Sequence, residues 1–463
     1  MLVLFILLIT VALSSIGCSA QPPPQPKIES VVLIGVDTLR ADHLGLYGAK
    51  RPTSPALDQI AERARVFEHA YATAAWTLPS FASLLTGLDP AEHGAGIVLG
   101  QQADREWDPE RIGNKERTKI LPSGTTLSER LSAGGFKTFG VVQTPNLDPV
   151  YGFDRGFDIY ENYRFERRRR ADAAVAIAFE LIDRHQDQPF FLFLHLIDPH
   201  LDYDAPTRFA GQFTNDIDAG LELPVSVDNV NQLREESPEQ LSVKTKFVEA
   251  AYDEEIAYTD RQIARFLDGL NERGLEDETL VILTSDHGEE FFEHGGFEHG
   301  HSMHQELLRV PFMVWGPGVT PGRESAPISI ADAAPTILEA VGLEVPDAGF
   351  GQSLWPMIDK SEPGDMDRLI VAAGTLYGPE LRMAMRWPYK LIQNPKTGKL
   401  ALFNLEKDPG EKNDLIETHR QLAQRLAAEL DHRMISISSG PQREGVELDD
   451  EMIKNLRELG YVE

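Results

Sequence analysis

Five apolar runs mark out the chain, over residues 31–36, 138–142, 190–196, 280–284 and 312–315. Runs of this length, with little polar alternation, are what strands buried on both faces require. Between them lie stretches whose apolar residues recur three and four apart, the spacing of one helix face. Residues 54–65 form such a stretch, with Ser54 as cap and Pro55 at the first helical position. Residues 171–185 and 331–341 form two more. The clearest period runs over 252–273, where Ile256, Ile263, Phe266, Leu267 and Leu270 align and Gly274 is the stop. Strands alternating with helices predict an α/β fold, a mostly parallel sheet flanked by helices.

Two polar segments, 101–124 and 201–242, lack a period and read as loop insertions of the kind that rim an active site. Beyond about residue 365 the pattern shortens. Residues 382–387, 389–393 and 400–405 predict antiparallel strands, with 394–399 as a hairpin loop. A helix over 415–434 is expected to pack on them, and 448–459 to form a short docking helix. The expected organisation is thus a leader over 1–18, a linker over 19–28 and a main α/β unit over 29–360. A small C-terminal α+β subdomain over 365–435 carries the antiparallel sheet, and a tail over 436–463 carries the short helix.

Composition is that of an ordinary globular protein, 42 % hydrophobic and 25 % charged. The net charge of −29 argues against nucleic acid as a partner, because such a surface repels phosphate backbones. An anionic substrate would need a local cation. Residues 1–17 are apolar and uncharged, too short for a spanning helix, and read as an export segment without the usual basic start. The single cysteine, Cys18, follows Ser15-Ile16-Gly17. This resembles a bacterial lipoprotein processing site; the alternative is a simple signal peptide with an incidental cysteine. Residues 19–26, rich in Pro and Gln, read as a stiff tether. The expectation is an exported, periplasmic or cell-envelope protein whose membrane contact is a lipid on Cys18. One cysteine also excludes intrachain disulfides, thiolate metal clusters and a cysteine nucleophile deeper in the fold.

The chemistry concentrates at three places. Trp76-Thr77-Leu78-Pro79-Ser80-Phe81 opens a helix that Gly87 stops, and Thr77 sits where unpaired N–H groups favour an anion. Asp37 ends the first apolar run, and Asp286 with His287 ends the fourth. Ligands of open α/β sheets bind beyond the carboxyl ends of strands, so these residues converge on one edge. Two carboxylates and an imidazole suit Mg²⁺, Mn²⁺, Ca²⁺ or Zn²⁺. Taken singly, each strand-end Asp is as readily a helix cap.

The run from Val31 through Asp37-Thr38-Leu39-Arg40-Ala41-Asp42-His43 to Gly48 resembles the opening of the sulfatase family, in the alkaline phosphatase superfamily. Pro79-Ser80, Leu84-Leu85-Thr86-Gly87 and His93-Gly94 continue the likeness, as do Thr284-Ser285-Asp286-His287-Gly288-Glu289 and Arg309-Val310-Pro311. Leu402-Phe403-Asn404-Leu405 and Asp408-Pro409-Gly410-Glu411 resemble that family's C-terminal subdomain. The resemblance implies that Asp37, Asp286 and His287 hold one divalent ion, or one of two, and that the nucleophile is Thr77. Sulfatases carry there a cysteine or serine that is oxidised to formylglycine, which threonine cannot yield. The family arginine two residues after the proline is Phe81, and the usual Gly-Lys-x-His element is replaced by Val142-Gln143-Thr144-Pro145-Asn146. Phosphate-handling relatives use a threonine, so a metal-activated Thr77 and a phosphate or phosphonate ester are expected, with a sulfate ester as the family alternative.

His200 resembles the family histidine at the ester or leaving oxygen. His299 and His301 fall where relatives place a substrate-binding lysine, and serve to bind the anion, protonate the leaving group or join a second metal. Asn146 is either a neutral oxyanion donor or a loop residue. Arg40 contacts the nucleophile or Asp37, or forms a structural ion pair. His294 and Glu289 lie where they can orient the metal loop. The partners expected are small-molecule, glycan or lipid esters. Two rival functions stand beside hydrolysis: transfer of a phospho group to a lipid or glycan acceptor, and non-catalytic binding on a retained fold.

Overall fold

A computed structural model describes residues 27–96, 117–120, 124–162, 170–185, 187–233, 236–346, 349, 351–438, 445–446 and 448–459. Cys18, the expected export segment and most of the 101–124 insertion lie outside the described residues. Nine strands form the main sheet. They are β1 Ser30–Val36, β2 Arg65–Tyr71, β3 Lys137–Val142, β4 Ile159–Asn162, β5 Phe190–Leu196, β6 Thr279–Ser285, β7 Arg309–Trp315, β8 Gly322–Glu324 and β9 Ile328–Ser329. The order is β8-β2-β7-β6-β1-β5-β3-β4, with β9 also on β2. β1 lies between parallel β5 and β6, while β7 runs antiparallel to both of its neighbours.

Alternate residues of β1 explain its unbroken apolar run. Val31 and Leu33 join one core with Phe81 and Leu84, and Val32, Ile34 and Val36 join the opposite core with Tyr252 and Ile256. The first core lies under α2, Thr77–Thr86, and the second under α4, Pro238–Glu272. Two further helices are α1, Pro55–Ala61, and α3, Ala171–His185. Gly35 lets α2 approach β1: a Cβ there would lie 2.6 Å from Phe81 Cε1. Gly87 ends α2 at φ 72°, a conformation that side chains with a Cβ resist.

Several expectations are corrected. The helix expected over 54–65 ends at Ala61, and Arg65 already belongs to β2, a strand the helical reading concealed. Ser54 does not cap it. Asp260, on α4, accepts from the N–H groups of Ala56 (3.0 Å) and Leu57 (2.8 Å), so the cap comes from far along the chain. The segment 201–242 is not wholly loop, since it holds the helix Val227–Leu233 and the start of α4. Ser237 caps α4 through Gln240 N–H, and its first turns are polar, which hid them from a hydrophobic period.

A second sheet runs β10 Ile370–Ala373, β11 Arg382–Arg386, β12 Tyr389–Gln393 and β13 Leu400–Asn404, all antiparallel. β10 was not foreseen. One face, with Leu391 and Leu402, packs on Leu426 of the helix Arg420–Ser438, which starts later than expected. Met383 and Met385 of the other face join the main core. The short helix Asp450–Glu458 docks through Met452 and Leu456. Among the described residues, no helix is long and apolar enough to cross a membrane.

Candidate active site

Register places the acidic residues. β1 and β6 pair Val36 with Ser285, so the next residues, Asp37 and Asp286, leave the sheet side by side. The two loops are stitched together. Thr38 N–H donates to Asp286 Oδ1 (3.2 Å), Leu39 N–H to Ser285 Oγ (2.9 Å), and Ser285 Oγ donates to the His287 carbonyl (2.7 Å). Thr38 takes a positive φ of 55°, and Tyr252 OH donates to its carbonyl (2.7 Å) while accepting from Arg40 N–H (2.9 Å). A non-glycine residue held at positive φ is strained backbone that its surroundings must hold in place.

His287 Nδ1–H donates to the Gly288 carbonyl at 2.9 Å, which turns Nε2 inward. That nitrogen lies 3.2 Å from Asp286 Oδ2, 3.9 Å from Asp37 Oδ1 and 3.2 Å from Thr77 Oγ1. All four side chains are buried. Among the described residues Asp37 Oδ1 and Asp286 Oδ2 have no hydrogen-bond partner, a costly state for buried carboxylate oxygens. One ligand atom from each of Asp37, Asp286 and His287 lies within 4.8 Å of the others, the only such group among the described residues. Orphaned carboxylate oxygens facing an imidazole nitrogen fit a divalent cation.

The electrostatics point the same way. Burial alone would raise Asp37, but the His195 hydrogen bond and the nearby His200 and His287 hold it down at about 2. Asp286 is pushed up by burial and by the Asp37 charge. Burial lowers His287, yet Asp286 and Asp37 outweigh it and lift the imidazole to about 9. The upward shifts of Asp286 and His287 both come in part from the neighbouring buried carboxylate charge, which a cation would offset.

Thr77 is the first residue of α2, entered from extended Trp76. His299 packs on His287, ring centroids 4.4 Å apart, and on His200 at 5.1 Å. His200 Nδ1–H donates to the Leu201 carbonyl (2.6 Å), and His299 Nδ1 pairs with Glu289 Oε1 (2.9 Å). Tyr203 OH donates to the other Glu289 oxygen at 3.2 Å. Burial pushes Glu289 up to about 7.

The structure thus gathers Asp37, Asp286, His287, Thr77, His200 and His299, and gives the other candidates partners of their own around it. His301 Nε2 pairs with Glu290 Oε2 (2.7 Å), beside Gly296. Arg40 forms the structural ion pair: its guanidinium donates to Asp42 (3.0 and 2.8 Å), Glu293 (2.6 Å) and the Glu289 carbonyl (2.9 Å). Asn146 Oδ1 accepts from Arg117 Nη1 (2.9 Å), and its buried Nδ2 has no hydrogen-bond partner among the described residues. His294 pairs with Glu306 Oε1 at 2.6 Å.

Two neighbours were missed in the sequence. Arg117 lies over the ring of Trp76, the residue before Thr77, at 5.5 Å. His195 touches Asp37, and the signal that marks it is a lone polar residue within the strand Phe-Phe-Leu-Phe-Leu-His-Leu.

A family model described as Sulfatase matches residues 29–343, and one described as N-sulphoglucosamine sulphohydrolase, C-terminal, matches 292–439. An arylsulfatase of Clostridium perfringens is 26 % identical over 445 residues, covering 84 % of this chain and 90 % of the relative. Among solved structures, a protein in complex with its substrate D-glucosamine-2-N,6-O-disulfate superposes with a TM-score of 0.69 at 19 % identity, covering 89 % of this chain and 98 % of that one. The phosphonate monoester hydrolase of Agrobacterium radiobacter gives 0.67 at 19 % identity, covering 89 % and 95 %. At such identities the superpositions speak for the fold, an alkaline-phosphatase and sulfatase-like α/β architecture. The sequence match carries the relationship: it spans most of the chain, which belongs to the sulfatase family and is an ester hydrolase.

Proposed function

We propose that the protein hydrolyses a sulfate- or phosphate-type ester with Thr77 Oγ1 as nucleophile, and that phosphate and phosphonate esters are its better substrates. The observation that carries this reading is the hydroxyl 3.2 Å from His287 Nε2, in the cluster that holds the two orphaned carboxylate oxygens. A sulfatase aldehyde cannot form on threonine, which favours a phosphorus centre. A phosphonate monoester hydrolase among the structures of like fold agrees with that preference.

A divalent cation on Asp37, Asp286 and His287 would supply the positive charge that acidifies a neighbouring hydroxyl and offsets charge on the ester's non-bridging oxygens. The protein's own part is positioning. Burial of Thr77 at the mouth of α2 keeps water from competing and presents Oγ1 beside helical N–H groups that favour an anion. Oγ1 gives its proton to solvent, its lone pair bonds to phosphorus or sulfur, and the bond to the bridging oxygen breaks with its electron pair leaving on that oxygen. His200, beside His299, is placed to pass a proton to that departing oxygen, while His299, pressed well below the ordinary imidazole pKa by burial and by the His287 and His200 rings, is a neutral partner that positions it. Glu289, held by Tyr203, fixes the His299 ring. Water then cleaves the threonine ester and restores the hydroxyl.

The test is turnover of 4-nitrophenyl phosphate, 4-nitrophenyl sulfate and a phenylphosphonate monoester by protein loaded with Mn²⁺, Mg²⁺, Ca²⁺ or Zn²⁺. Mass spectrometry of acid-quenched protein is expected to find the adduct on Thr77. Turnover that persists in T77A rules out this nucleophile.

A further inference from the structure

We propose that His195 is a positioning residue for Asp37: it occupies one carboxylate oxygen and so turns the other toward the cation position. The proposal rests on reading Asp37, Asp286 and His287 as a metal centre.

His195 is completely buried near the end of β5, level with Gly35 of β1. A buried imidazole is stable only if both nitrogens find partners. Gln143 N–H lies 3.2 Å from His195 Nδ1. A backbone amide has a proton to give and no lone pair to offer, so Nδ1 must accept. In the neutral ring the proton is then on Nε2, which lies 3.2 Å from Asp37 Oδ2 and donates to it. One oxygen of Asp37 is thereby engaged, and the other, Oδ1, is the orphan that lies 3.9 Å from His287 Nε2. Rotation of the carboxylate would break the His195 bond, so the orphan is held facing His287.

The ring itself is fixed. Phe81 meets it edge-on, centroids 5.1 Å apart at 75°. Gln143 ties the adjoining strand ends: its Oε1 accepts from Ile197 N–H (3.2 Å) and its Nε2 donates to the Arg170 carbonyl (3.0 Å). A leucine would fill the same strand position and the same core. What it lacks is the acceptor for Gln143 N–H and the Nε2 donor to Asp37, so the imidazole is explained by these two polar contacts and not by packing.

Calorimetric titration of metal-stripped protein with Mn²⁺ and with Ca²⁺, beside thermal unfolding of the same metal-free samples, tests this. H195L is expected to fold and to bind the cation about 10- to 100-fold more weakly, the usual cost of removing a group that orients a ligand. H195Q, whose amide nitrogen reaches the Nε2 position, is expected to retain most of the affinity. If H195L binds as tightly as the wild type, or if H195Q loses as much as H195L, the role is overturned. Should H195L not fold, H195N takes its place: its donor is too short to reach Asp37, and undiminished affinity overturns the role. A nitrogen-15 spectrum of histidine-labelled, metal-free protein should show His195 as the Nε2–H tautomer, and the Nδ1–H tautomer overturns the proposal whatever the cation does. Wild-type protein that binds no divalent cation overturns the metal centre instead, a result distinct from either of these.

Discussion

A threonine hydroxyl is a poor nucleophile in water, so Thr77 matters only through what surrounds it. Replacing it with alanine removes the hydroxyl that we propose reacts while leaving the buried first turn of α2 intact. T77A is expected to lose at least about 10³-fold in kcat/KM while binding cation normally. T77S, which keeps the oxygen, is expected to stay within reach of the wild type in a steady-state assay. Asp286→Asn keeps shape but removes a charge from the cluster, so cation affinity and turnover should fall together, and treatment with a chelator should reproduce the loss in wild-type protein. Unchanged Mn²⁺ affinity in D286N, read by calorimetry, would count against the site. At this scale the sequence was informative where a residue stood at a strand end. Asp37, Asp286 and His287 were legible because an apolar run stops at each loop. His195 and Arg117 were not, because one hides inside a strand and the other comes from a segment with no readable period.

At the scale of elements, the approach of α2 to β1 is what suspends Thr77 over the acidic strand ends. Gly35→Ala tests that packing, since its Cβ would meet Phe81 Cε1 at 2.6 Å. We expect G35A to lose about 1–3 kcal/mol of stability, the range for overpacking a core, visible as a lower Tm. Activity should fall further than stability if Phe81 and α2 shift with it. The apolar runs identified five of the central strands, because a strand covered on both faces has no polar side to blur its limits. β2 escaped, since Arg65-Val66-Phe67-Glu68-His69-Ala70-Tyr71 mixes charge with apolar residues beside a helical stretch. The cap of α1 was also invisible: a sequence reading looks for it one residue upstream, and Asp260 supplies it from across the fold.

For the molecule as a whole, the join between the two sheets carries a buried ion pair. Glu411 lies 2.8 Å from Lys390 Nζ, accepts from Gln305 N–H at 2.7 Å and faces His304 Nδ1 at 3.3 Å. Burial raises its pKa, but Lys390 and His304 prevail and hold it at about 2, below the ordinary 4.5. A carboxylate whose folded pKa is depressed stabilises the fold above its unfolded pKa and loses that contribution as pH falls through the folded value. Stability should therefore decline from pH 4.5 toward 2 as Glu411 protonates. E411Q should cost about 3–5 kcal/mol near neutrality, because it strands a buried ammonium, and should flatten that acid limb in denaturant titrations across pH. For the same whole chain we propose export and a lipid on Cys18. Mass spectrometry of the protein from membranes is expected to find diacylglycerol-modified Cys18 as the N terminus, and an unmodified, soluble product in the native host excludes the anchor.

What the sequence by itself determined was what local chemistry controls: the buried strands, most of the helices, the family, and the residue types at the strand ends. Hydrophobic period and loop position are written along the chain and need no partner to be read. What only the tertiary structure decided was which groups meet. It paired Asp37 with Asp286 through strand register, put His299 against His287, gave His301 to Glu290, committed Arg40 to Asp42 and Glu293, and set His195 beside Asp37. Those contacts join residues up to hundreds of positions apart, and no local pattern records a distance that only the folded sheet creates.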